Sequence, residues 1–190
     1  MIRDFRMVFW DFDGVIKDSV GVKADCFTEI FGKIDPETSL RIKSHHLKNG
    51  GLSRYEKVPI YMEWVGLPTD KNNVKTYVEK FATKALKGTL RSDWIPGARE
   101  FLLENPYNQS FILTTATPQT EIIDILEELG LSGSFDRVYG APIGKKKAIE
   151  VTLRQTDVAF DEAVMVGDSA EDYEAALYGR VKFVFRGSPS

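Results

Sequence analysis

Short, mostly apolar runs recur along this chain, with helical patterns between them, and that alternation limits the folds open to it. The runs are Met7–Trp10, Ser110–Thr114, Arg137–Tyr139, Ala163–Val166 and Val181–Phe185. They are too short for helices, and consecutive rather than alternate apolar positions are the mark of strands covered on both faces. The stretches Ala98–Glu104, Gln119–Leu129, Lys146–Gln155 and Glu171–Tyr178 are amphipathic. In the second of these, Ile122, Ile123, Ile125, Leu126 and Leu129 fall at helical spacing. Pro118 suits its start and Gly130 its end. Strands alternating with helices predict an α/β fold, a Rossmann-like parallel sheet with helices on both faces.

One long interval breaks the alternation. Between Val20 and Arg91 no strand pattern occurs, and Val22–Phe31, Pro36–Leu47, Tyr55–Val65 and Asn73–Leu86 read as helices. Pro36 suits a first helical turn, and Gly66 and Gly88 suit helix ends. The expected organisation is therefore a core of residues 1–19 and 92–190, with an α-helical insert at 20–91. Composition agrees with a packed soluble protein: of 190 residues, 43% are hydrophobic and 28% charged. A net charge of −3 argues against binding nucleic acid through overall charge. The single cysteine, Cys26, excludes an internal disulfide and fits the cytoplasm. No signal peptide or membrane span is expected, and the tail 187–190 reads as frayed. Oligomeric state is not legible, although Tyr61-Met62-Glu63-Trp64-Val65 offers an apolar contact surface.

The chemistry begins where the first run ends. Val8-Phe9-Trp10 delivers Asp11 and Asp13, and Gly14 lets the chain turn after them. Two neighbouring carboxylates repel unless a cation lies beside them, which is the beginning of a magnesium-assisted phosphoryl-transfer site. Other polar signatures also fall at strand ends: Thr114-Thr115-Ala116-Thr117-Pro118, Gly140-Ala141-Pro142-Ile143-Gly144-Lys145-Lys146-Lys147 and Gly167-Asp168-Ser169-Ala170-Glu171-Asp172. The carboxyl ends of parallel strands are where ligands bind in such sheets.

Asp11-Phe12-Asp13-Gly14-Val15-Ile16-Lys17-Asp18-Ser19 resembles the first motif, DxDGVxxDS, of the haloacid dehalogenase-like (HAD) superfamily. The branch it resembles is that of phosphatases with a helical C1 cap, similar to phosphoglycolate phosphatase and beta-phosphoglucomutase. The remaining motifs follow in order. The resemblance implies that Asp11 is the nucleophile and Asp13 the general acid and base. It implies that Thr115 bonds a phosphoryl oxygen beside Ala116, with Thr114 the alternative. Lys145 fits the form GxPxxK best, and Lys146 remains possible. GDSxxD puts Asp168 in a Mg²⁺ site with Asp11, the backbone carbonyl of Asp13, and Asp172 directly or through water.

The implied reaction is Mg²⁺-dependent hydrolysis of a small phosphorylated metabolite, such as a phosphosugar, through an aspartyl-phosphate. The alternatives are a sugar-phosphate phosphomutase and a non-catalytic binding protein on the same fold. Within the insert, the loop before Tyr55 is bent by Gly50-Gly51, and Ser53 suits a helix cap. Arg54 and Lys57 lie one turn apart, and the loop is expected to close over the active site so that one or the other grips the leaving group. Trp10, Trp64, Trp94 and Cys26 read as packing residues.

Overall fold

The computed structural model describes residues 2–50 and 52–187. The expected break at Gly51 and the tail at 188–190 lie outside the described residues. In chain order the elements are β1 (Met7–Trp10), α1 (Val20–Glu29), α2 (Pro36–Lys48), α3 (Arg54–Trp64), α4 (Lys71–Arg91) and α5 (Ala98–Glu104). They continue with β2 (Ser110–Pro118), α6 (Gln119–Glu128), β3 (Arg137–Ala141), α7 (Lys145–Arg154), β4 (Ala163–Gly167), α8 (Ala170–Gly179) and β5 (Lys182–Phe185). The chain divides into a sheet unit, Met1–Asp18 with Asp93–Ser190, and a helical unit, Ser19–Ser92.

In the sheet unit the strands run parallel in the order β3-β2-β1-β4-β5. All four residues of β1 are buried, as a central strand with both faces covered requires. On one face Met7, Phe9, Ile112 and Met165 pack with Ile149 of α7 and with Ala175 and Ala176 of α8. On the other, Trp10 meets Phe111 edge-on at 5.6 Å and Phe101 of α5 at 5.8 Å. The sheet unit is thus the α/β Rossmann-like layer structure expected. The second linker returns to the first: Asp18 N–H donates to the Asp93 carbonyl (2.9 Å) and Ile95 N–H to the Ile16 carbonyl (3.0 Å). Several boundaries move, two of them at the candidate site. Strand β2 runs past Thr114 to Pro118 after an irregularity in register, and α7 begins at Lys145 rather than Lys146.

The helical unit has its own core of Phe27, Ile42, Val58, Tyr61, Met62 and Phe81, with the Phe27 and Phe81 rings stacked 3.9 Å apart. Side chains mark its helix starts. Asp35 caps α2 through Thr38 N–H (2.8 Å), with Pro36 in the first turn, and Ser53 and Glu56 form a capping box on α3. Gly66 ends α3 at φ +73°. Gly88 does not end α4, which continues to Arg91. Its reason is packing: a Cβ there would lie 2.4 Å from Val22 Cγ1, so glycine lets α1 approach α4. Nor is the Tyr61–Val65 stretch an open apolar surface, because Tyr61 and Met62 are fully buried in the core. Among the described residues no helix is long and apolar enough to cross a membrane.

Candidate active site

The site is assembled from strand ends. As β1 finishes, Asp11 N–H donates to the Val166 carbonyl (3.0 Å), fixing Asp11 beside the end of β4. The chain then coils tightly: the Phe12 carbonyl accepts from Ile16 N–H (2.9 Å) and Lys17 N–H (3.2 Å), and Gly14 sits at φ +76°. That left-handed conformation is cheap only for glycine. It leaves Asp11 buried and Asp13 half-buried.

Lys145 opens α7 and reaches back to β1. Its Nζ is 3.0 Å from Asp11 Oδ1 and 2.5 Å from Asp172 Oδ1. All three groups are buried, where breaking such a pair costs about 3–5 kcal/mol. The neighbouring lysines turn outward, Lys146 to Glu174 (3.1 Å) and Lys147 to Glu150 (3.0 Å). Asp172 is itself held. Its Oδ2 accepts from Ser169 Oγ (2.6 Å) and Ser169 N–H (3.1 Å) in the capping box of α8. Gly167 makes room for it, since a Cβ there would lie 2.2 Å from Asp172 Cβ. The Ser169 tie was not singled out from the sequence. Its signal was available: a serine three positions before an aspartate at a helix start.

One carboxylate oxygen from each of Asp11, Asp168 and Asp172 lies within 4.8 Å of the others. The electrostatic consequence is strain among like charges. Burial pushes the Asp11 carboxyl well above the usual carboxylate range; Lys145 opposes this, while Asp172, Asp13 and Asp168 add to it. Asp168 is pushed up to about 6, by burial and then by the Asp172 charge. Burial disfavours the Lys145 ammonium, but Asp11 and Asp172 more than offset it and leave its pKa raised. One ammonium among this many carboxylates is too little positive charge. An all-oxygen donor set of this kind fits a hard divalent cation such as Mg²⁺.

Thr115 is buried within β2, just past the Thr114 pairing, and its hydroxyl accepts Thr117 N–H (3.2 Å), which leaves its own proton available to donate. The Thr114 hydroxyl turns inward to the Trp10 carbonyl (3.4 Å). Ala116 is exposed between buried Thr115 and Thr117. Arg54 and Lys57 belong to the helical unit and are buried. There the Arg54 guanidinium lies 4.9 Å over the Phe81 ring, and Lys57 Nζ is 3.0 Å from His46 Nδ1. Lys17, which sequence reasoning passed over, is buried with its ammonium 4.6 Å from the Trp94 ring.

Solved structures share this fold. A candidate beta-phosphoglucomutase from Thermotoga maritima is 24% identical, with a TM-score of 0.70 over 94% of this chain and 83% of that one. A candidate HAD-hydrolase from Bacillus subtilis, solved bound to magnesium, is 14% identical, with a TM-score of 0.74 over 95% and 88%. A candidate phosphoglycolate phosphatase from Haemophilus somnus is 16% identical, with a TM-score of 0.74 over 96% and 85%. Comparison with curated proteins gives no significant match. The model of the haloacid dehalogenase-like hydrolase family matches residues 8–185, nearly the whole chain, and the protein belongs to that family.

Proposed function

We propose that the protein hydrolyses phosphate monoesters of small metabolites, with Asp11 as nucleophile and Mg²⁺ as cofactor. The observation that carries this is the buried Asp11–Lys145–Asp172 chain beside Asp168. A carboxylate buried with an ammonium at 3.0 Å is poised to meet a phosphoryl group whose negative charge would otherwise repel it. Asp11 and Asp168, with the Asp13 backbone carbonyl, would hold the metal. Both Asp172 oxygens already accept hydrogen bonds from Lys145 and Ser169, which favours contact through water for that residue. When bound, the cation neutralises phosphoryl oxygens and keeps Asp11 and Asp168 ionised at neutral pH.

The chain's own residues carry the steps. Asp11 Oδ attacks phosphorus in line, the ester P–O bond breaks, and the leaving oxygen takes a proton from Asp13. Asp13, now a carboxylate, removes a proton from water, which attacks the aspartyl-phosphate, releases inorganic phosphate and restores Asp11. Thr115 donates to a phosphoryl oxygen beside Ala116, and Lys145 offsets charge throughout. The helical unit acts as the cap, and its Arg54 and Lys57 select the leaving group. The single buried cysteine, Cys26, supports a cytoplasmic enzyme.

The test is a screen of phosphorylated metabolites with and without Mg²⁺, using wild type, Asp11→Asn and Arg54→Ala. Phosphate release that needs both Asp11 and Mg²⁺ is expected, with a changed substrate ranking for Arg54→Ala. Isomerisation of a sugar 1-phosphate without phosphate release would instead identify a phosphomutase, the activity named for the Thermotoga maritima structure.

A further inference from the structure

We propose that Gln119 is a positioning residue whose side-chain amide replaces a backbone rung between β2 and β3, allowing β2 to turn its Thr115–Thr117 segment toward the reacting phosphate. This rests on the hydrolase reading above. In a parallel sheet, a residue's N–H and C=O point to the same neighbour, and alternate residues share that direction. Asp136 N–H donates to the Phe111 carbonyl of β2 (2.9 Å), so the same edge of β3 next presents Val138 and then Gly140 to β2. A regular ladder would meet that pair with the N–H and C=O of one β2 residue, at Thr115. Instead Gly140 N–H donates to Gln119 Oε1 (2.6 Å), and Gln119 Nε2 donates to the Val138 carbonyl (3.1 Å). A primary amide carries the same donor and acceptor as a peptide, so one side chain completes the rung.

The register shows what this releases. Thr114 pairs with Tyr139 and Pro118 with Ala141, so Thr115, Ala116 and Thr117 together stand opposite Gly140 alone. The extra chain bulges, as residues do when a strand is re-aimed. Close approach at this point depends on the glycine: a Cβ on Gly140 would lie 2.6 Å from the Thr117 carbonyl oxygen and 2.7 Å from Gln119 N and Cα. Within the bulge the Thr115 hydroxyl is braced by Thr117 N–H and Ala116 is exposed. The same clip anchors the end of β3, from which the chain continues to Lys145. Gln119 thus ties the segment carrying Thr115 to the one carrying Lys145.

Gln119→Met keeps length and bulk and removes both hydrogen bonds. With p-nitrophenyl phosphate and Mg²⁺, kcat is expected to fall on the order of 10²-fold, the cost of a small misplacement of reacting groups, with KM little changed. Because the effect passes through Thr115, adding Gln119→Met to Thr115→Ala should cost little beyond Thr115→Ala alone. By NMR, exchange of the Gly140 amide should accelerate at least tenfold while Val164 and Met165 in β4 stay protected. Should Gln119→Met not fold, Gln119→Glu carries the test, retaining the acceptor for Gly140 and losing the donor to Val138. Wild-type kcat in the folded variant, losses that multiply in the double variant, or unchanged Gly140 exchange in an active Gln119→Met protein would overturn the proposal alone. A wild type inert toward every phosphomonoester overturns the hydrolase reading first, and the positioning role with it.

Discussion

One buried polar cluster in each unit is built in the opposite way to the other. In the sheet unit the buried groups are charged and unbalanced, with Lys145 between Asp11 and Asp172 and with Asp168 alongside. In the helical unit a comparable cluster is aromatic. Tyr61 is fully buried, its hydroxyl is 3.0 Å from His45 Nδ1, and Trp64 lies 5.3 Å from both rings with Arg41 stacked on it at 3.8 Å. Rings bury large apolar area and need only one neutral hydrogen bond to satisfy the tyrosine hydroxyl. Buried charges need partners, and their desolvation often costs as much as the pairing returns. Stability alone does not account for the sheet unit's choice, whereas the proposed phosphoryl chemistry would. The helical cluster needs no function beyond holding α2 to α3.

The largest expected difference is in rate. Asp11→Asn should lower kcat by about 10⁴-fold or more without loss of fold, and Tyr61→Phe should leave kcat unchanged; steady-state kinetics beside far-UV circular dichroism decides. An Asp11→Asn protein with near wild-type turnover would erase the contrast. Next comes stability. Lys145→Met leaves two carboxylates facing each other in a buried site, and chemical denaturation should show a loss of about 3–5 kcal/mol at neutral pH without metal. Tyr61→Phe deletes one neutral hydrogen bond and should cost about 1 kcal/mol. Equal losses would mean that the two clusters do the same structural work.

Much of this was legible in the sequence, because its cause is local. Buried strands show as consecutive apolar runs, and the residues near their ends make up the candidate site: Asp11 after β1, Thr115 within β2 and Asp168 after β4. Lys145 was separable from Lys146 only in three dimensions, since both stand at the start of one helix and only the first turns inward. Gly88 was misread as a stop because sequence cannot distinguish glycine for backbone freedom from glycine for space; Val22, far away in the chain, decides it. Gln119 was invisible for a related reason. On a helix start it is an unremarkable polar residue, and its partners Val138 and Gly140 are known only once β3 lies beside it.

The last contrast concerns pH, and here the two regions should differ in sign. Asp168 in the fold is raised to about 6 from 3.8. Between those values the folded, metal-free protein holds a proton that the unfolded chain has released. The contribution to stability is therefore present below about pH 4 and lost as pH rises through 6. Asp168→Asn should raise the Tm of the metal-free protein at pH 7.5, with the advantage vanishing by pH 4; Mg²⁺ should shrink it by compensating the same charge. His45 behaves oppositely. Burial, then the charges of Lys57 and Arg41, lower its pKa below 6.5, so the fold prefers the neutral ring. That contribution is present above pH 6.5 and lost as pH falls through the depressed folded value. His45→Gln, which retains a hydrogen-bonding partner for Tyr61 but cannot take up a proton, should remove this acid-side loss while leaving the Asp168 dependence intact. Thermal unfolding of wild type, Asp168→Asn and His45→Gln across pH 4–8, in chelator and in Mg²⁺, separates the two. Parallel pH slopes for both variants would show that the charged and aromatic clusters do not titrate independently, and the division of labour between the units would have to be abandoned.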